Sequence, residues 1–188
     1  MSLTVGFFLI SRIKFEEYCK LAHTIFPPPD VRQARKKLPS MRISMVKDKL
    51  LLQNRERSRK LRSFLHEFGE QPYVFKWNGV CLTDALFWLQ KTKNIDLCQI
   101  QYRDASGLEW ILFDESLKER YLELINPANF EARDLTDYLQ RFVRDSSRDP
   151  SEDDALATER GEAMMDGIRI LYDYLRLVDS RSVVMLHF

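Results

Sequence analysis

Residues 72–116 read PYVFKWNGVCLTDALFWLQKTKNIDLCQIQYRDASGLEWILFDES, and no other stretch restricts the fold as much. All three tryptophans (Trp77, Trp88, Trp110) and two of the three cysteines (Cys81, Cys98) fall within it. Residues 73–77 are rich in aromatic and β-branched side chains, which predicts a strand, and Asn78-Gly79 is a strong turn signal. Thr83 is placed to cap a helix through about Lys91. Ala85, Leu86, Phe87, Trp88 and Leu89 make that helix apolar all round, so it is expected to be buried. Strands are predicted over 97–103 and 108–113, joined by an Asp104-to-Gly107 turn. The first alternates, with Cys98, Ile100 and Tyr102 on one face; the second groups Leu108, Trp110 and Leu112.

The flanking segments must build around this unit. Residues 4–11 predict a strand, and Ser11 caps a helix to about Ile25. Phe15, Cys19, Ala22 and Phe26 recur there at helical spacing, Glu16 and Glu17 suit the helix dipole, and three prolines at 27–29 end the helix. The pattern then suggests a short helix over VRQARKKL and a strand over MRISMV. A helix follows over 48–68, with Gly69 as its stop. Leu50 and Leu51 lie at one end and Leu61, Phe64, Leu65 and Phe68 at the other. Asp114 or Ser116 starts a helix carrying Leu117, Tyr121, Leu124 and Ile125, and Asn126-Pro127 stops it. Residues 134–144 predict a helix burying Leu135, Tyr138, Leu139 and Phe142. Residues 145–154 read as a solvated, mobile loop. A long helix to about Val178 presents Met164, Ile168, Leu171, Tyr172 and Leu175, and 182–188 form a last strand buried on at least one face. Both terminal strands are strongly apolar, so they are expected to be neighbours. The expectation is one α+β domain over 1–188: a mixed sheet with adjacent N- and C-terminal strands, a central hairpin and about six helices.

Composition narrows the class. The chain has 188 residues, 45% apolar and 30% charged, enough to bury a real core. Its longest apolar run, 5–10, is too short to span a bilayer, and no signal peptide is recognisable, so a cytoplasmic protein without a membrane partner is expected. Three cysteines without CxxC spacing argue for reduced thiols over a disulfide framework or zinc knuckle, with a single Cys81–Cys98 bridge left open.

Charge order is the largest anomaly. Residues 31–62 hold twelve Lys or Arg against two acids, and residues 104–166 hold seventeen acids against seven bases. The two blocks nearly cancel, leaving +1 overall. The basic segment could meet a polyanion or an acidic protein, or it could pack against the acidic block within the fold. It contains no interleaved aromatics for base stacking and no nucleic-acid-binding motif.

Chemistry has little support. There is no GxGxxG, phosphate loop, GxSxG or HExxH. Cys19 and His23 share a helix face, yet a nucleophile needs a third, orienting group and zinc needs more ligands. Acid pairs such as Glu119/Glu123 and Asp134/Asp137 alternate with bases, as on solvated helices. The reading is therefore a binding protein, of accessory, regulatory or immunity type, that docks a protein partner through segregated charge. Arg55, Arg57, Arg59, Lys60, Arg62 and Trp77 are the candidate contacts. No cofactor, metal or catalytic residue is assigned. The alternatives are nucleic-acid binding through 31–62 and an enzyme with an unrecognised site, for which Cys19 and His23 are the available pair.

Overall fold

A computed structural model describes residues 6–25, 56, 58–77, 79–97, 101–103, 109–144 and 150–187. Four strands, β1 (Gly6–Ser11), β2 (Gln101–Arg103), β3 (Glu109–Phe113) and β4 (Ser182–His187), form one sheet in the order β1-β4-β3-β2. The terminal strands are adjacent, with Phe7 opposite Leu186 and Ile10 opposite Val183. β2 and β3 pair as the expected hairpin.

Every ladder among the described residues is antiparallel, where a mixed sheet was expected. Near-continuous apolar strands such as β4 are usual in parallel sheets. Here they arise because both faces of an antiparallel sheet are covered. Phe8, Ile10, Trp110, Val183 and Met185 join one buried cluster. Phe7, Ile111, Phe113, Val184 and Leu186 join the other. The period of two along each strand sorts side chains between these cores.

The smaller core is roofed by two helices. α1 (Arg12–Ile25) starts where the Ser11 hydroxyl accepts from the Lys14 N–H at 3.3 Å, the expected cap. Its buried residues are Tyr18 and Ala22, with Phe15, Cys19, Leu21 and Ile25 half-buried, so the apolar face is centred one position round from Phe15–Cys19. Phe26 lies outside the described residues. α2 (residues 58–68) buries Leu61 and Leu65, and Gly69 ends it by donating its N–H to Leu65 O at 2.8 Å. The earlier part of the expected 48–68 helix, apart from Glu56, falls outside the description, as do both elements expected within 30–47.

Residues 73–77 are not a strand. Glu70 closes a two-way bridge with Leu9 on the β1 edge, and the chain then leaves the sheet. Its aromatics dock on α6 (Pro150–Leu177) instead. Tyr73 packs edge-on to Tyr174 at 5.5 Å and accepts the Tyr174 hydroxyl at its carbonyl, and the Trp77 indole N–H donates to Asp166. Strand-like composition here serves side-chain packing, which propensity alone does not separate from ladder formation.

α3 (Gly79–Lys93) begins earlier than expected. Gly79 opens it, so the Gly that signalled a turn is a helix start; Asn78 lies outside the described residues. The Thr83 hydroxyl bonds back to Gly79 O at 3.1 Å, which places Thr83 in the second turn and not at the cap. The helix is buried on one side only: Ala85, Trp88 and Leu89 are buried, while Phe87 is 50% exposed. β2 and β3 fall within the expected strands; Leu97, expected to open the first of them, lies in a 3-10 turn instead, and Cys98, Ile100 and Leu108 are outside the described residues.

α4 (Glu115–Leu124) is capped by the Asp114 carboxylate, which accepts from the Ser116 N–H. It buries Tyr121 and stops before Asn126, which opens a 3-10 turn at Pro127–Asn129. α5 (Ala132–Arg144) buries Leu135 and Leu139. α6 starts at Pro150, so residues 150–154 of the expected loop form its first turn, where proline and acids both favour a helix start. The rest of that loop, 145–149, lies outside the described residues. Gly161 marks the close crossing of α5 and α6, since a Cβ there would meet Thr136 N at 3.0 Å. Gly161→Val is expected to cost about 1–3 kcal/mol in chemical denaturation through overpacking.

Tyr174 holds this layer to the sheet. It is fully buried, stacks on Phe7 at 4.9 Å, and donates its hydroxyl to Tyr73 O at 2.8 Å. Burial pushes its pKa from 10.0 up to about 12. The neutral phenol is the form the fold favours. Its contribution is therefore present below pH 10 and lost as pH rises towards 12. Urea denaturation is expected to show that loss, and Tyr174→Phe to weaken the pH dependence while costing about 1 kcal/mol at neutral pH.

No helix among the described residues is long and apolar enough to cross a membrane.

Candidate functional site

Leu61 and Leu65 fix the orientation of α2, because residues four apart share a helix face. With both in the core, Arg59, Lys60 and Arg62 must turn outward, and all three are exposed. The described residues give none of them an ion-pair partner. The described ion pairs lie elsewhere: Lys14–Glu17 at 2.6 Å, Arg160–Asp84 at 2.5 Å, Arg169–Asp166 at 2.9 Å, and the looser Lys93–Asp134 and Arg176–Asp173. Arg55 and Arg57 lie outside the described residues, together with most of the basic segment.

The acidic helices occupy the other side of the sheet. α3, α5 and α6 pack on the larger core with Tyr121 and Ile125 at the α4 end, while α1 and α2 pack on the smaller one. Glu115, Glu119, Glu123, Glu131, Asp134, Glu159 and Glu162 are exposed in the acidic layer. The sheet therefore stands between these acids and the three bases of α2. Among the described residues, the basic surface is not neutralised by the acidic block.

Two depressions flank α2. A cleft of about 280 Å³ lies where Arg62 and His66 face Gly6, Phe7 and Phe8 of β1, the 71–75 segment, and Trp110. A shallower groove on the other flank is lined by Arg59, Lys60 and Phe64, with Glu56 and Glu67 also present. The cleft brings together positions too distant in sequence to be grouped by inspection. The only local hint is the Arg62/His66 spacing of one helical turn.

Trp77 does not belong to this surface. It is half-buried on the α6 side, with its indole N–H engaged by Asp166 at 3.0 Å. Cys19 is half-buried beside the smaller core and His23 is exposed. No group of three or more metal-ligating side chains occurs among the described residues. Cys81 is a buried free thiol, and Cys98, the other half of the bridge left open by the sequence, lies outside the described residues. Burial raises the Cys81 pKa while Arg160 opposes that rise, the reverse of an activated nucleophile. No protein family, curated protein or solved structure matches the chain.

Proposed function

We propose that this chain is a cytoplasmic binding protein that docks an acidic protein partner through the outer face of α2, with Arg59, Lys60 and Arg62 as contacts. The observation that carries the reading is that these three cations are exposed, without acidic partners among the described residues, and lie across the sheet from the acidic helices. Exposed charge of one sign steers an oppositely charged partner and fixes its register. Arg55 and Arg57, next in the chain, would extend the same surface. Trp77 is left out because its N–H is already satisfied within the fold. The role proposed for such docking is of accessory, regulatory or immunity type.

The test is capture by the immobilised chain from extract of its native host at about 100 mM salt, where surface charges still act over about 10 Å. A defined acidic protein that survives nuclease treatment and is released by high salt is expected. Captured material that disappears on nuclease treatment would replace this reading with the nucleic-acid one.

A further inference from the structure

We propose that the cleft between α2 and β1 is an anchor pocket, receiving one large apolar side chain of the partner while Arg62 pairs with a carboxylate beside it. The inference rests on the docking reading above and names what that surface recognises: an acidic segment carrying an aromatic or large aliphatic residue.

The cleft has the chemistry for both halves. Phe8, Val74, Phe75 and Trp110 supply apolar walls, and Arg62, His66 and Gln71 supply a polar rim. Its volume of about 280 Å³ sits at the small end of ligand sites, which suits one side chain better than an extended molecule. Val74 is 68% exposed at this edge, so a bound apolar group would remove its surface from water. Arg beside a desolvated aromatic pocket is the usual composition of an interface hot spot.

The cleft is also built in advance. The Gln71 side-chain amide donates to Phe7 O at 3.1 Å, and the Leu9–Glu70 bridge lies next to it, so the 71–75 wall is held to the β1 edge. Phe8 sits edge-on to both His66 at 5.4 Å and Trp110 at 6.4 Å, which ties the α2 wall to the sheet. Gly6 lets the Phe8 ring lie over its backbone, since a Cβ there would meet that ring at 2.8 Å. A pocket held this way spends little ordering free energy on binding. Charge complementarity selects the partner: no Asp or Glu lines the cleft beside Arg62, and Arg59 and Lys60, which share their groove with Glu56 and Glu67, form no ion pair among the described residues.

The probe is fluorescein-labelled Asp-Glu-Phe-Asp-Glu, titrated with the full chain by fluorescence anisotropy. Saturable binding is expected. Asp-Glu-Ala-Asp-Glu and Asn-Gln-Phe-Asn-Gln should each bind on the order of tenfold more weakly, since one loses the anchor and the other the charge. Amide shifts on binding should centre on Gly6, Phe8, Arg62, His66 and Gln71. Arg62→Glu, checked for native circular dichroism, should also weaken the Phe peptide by at least about tenfold. Equal binding of the Phe and Ala peptides would overturn the proposal, as would shifts confined to the Glu56–Lys60 flank or tighter binding of a pentathymidylate. If the Phe peptide is no better than the Ala peptide while reversal of Arg59, Lys60 and Arg62 still releases the captured partner, the pocket fails and the docking reading stands. If the reversal leaves capture intact, the docking reading itself fails.

Discussion

Leu186→Asp and Met185→Asp are each expected to abolish the folded state, although the two side chains point to opposite faces of the sheet. β4 lies between β1 and β3, and Leu186 stands opposite both Phe7 and Ile111. Leu186 and Met185 are both fully buried, one in each core. Deleting such a side chain costs about 2–5 kcal/mol, and a buried carboxylate without a partner adds several more. The sum approaches or exceeds the usual stability of a domain, about 5–15 kcal/mol. Circular dichroism and gel filtration should report an unfolded or aggregated chain in both cases. Leu186→Met, which conserves volume, is expected to cost less than about 1.5 kcal/mol. A sheet with one wet face would tolerate one of the two Asp substitutions, and that result would overturn the three-layer arrangement.

The second large effect is on binding and spares stability. Arg59→Glu, Lys60→Glu and Arg62→Glu together should weaken the partner on the order of 100-fold at low salt, because like charges would then face each other. All three are exposed and unpaired among the described residues, so each is expected to shift stability by no more than about 0.5 kcal/mol. Denaturation midpoints close to the parent protein, alongside lost affinity, separate a docking role from a structural one. The loss should shrink as salt rises, since exposed charges are screened.

What the sequence revealed about the fold tracks how local each signal is. Ser11, Gly69 and Asp114 act through hydrogen bonds within a few residues of themselves, and each appears where the residue types predict it. The adjacency of the terminal strands follows from their shared apolar character. The misreadings at 73–77, Thr83 and Phe87 have one origin: composition says that a side chain prefers burial or a given backbone, but not which neighbour receives it. The tyrosines of α6 show the same limit. Tyr172 falls on the expected apolar face and is half-buried, whereas Tyr174 is sealed in the core. The place of Tyr174 between Phe7 and Tyr73 depends on residues far away in the chain.

The candidate surface is partly readable. The exposure of Arg59, Lys60 and Arg62 follows from the spacing of Leu61 and Leu65 once α2 is a helix on a core. Which side of the sheet the acidic helices take does not follow, because it depends on the strand order β1-β4-β3-β2. The cleft is hidden for the same reason. Gly6, Arg62, Gln71 and Trp110 are brought together by sheet pairing and helix docking, not by spacing in the chain.

In the proposed mode of docking, the α2 face and not the acidic face meets the partner. The direct measurement is calorimetric titration of the captured partner into three versions of the chain: the parent, the α2 reversal, and an acidic-face reversal (Glu119→Lys, Glu123→Lys, Glu162→Lys) built from exposed residues. The expected result is a loss on the order of 100-fold for the α2 reversal and a change within about threefold for the acidic-face reversal. The opposite order, with affinity kept by the α2 reversal and lost by the acidic-face reversal, would contradict it.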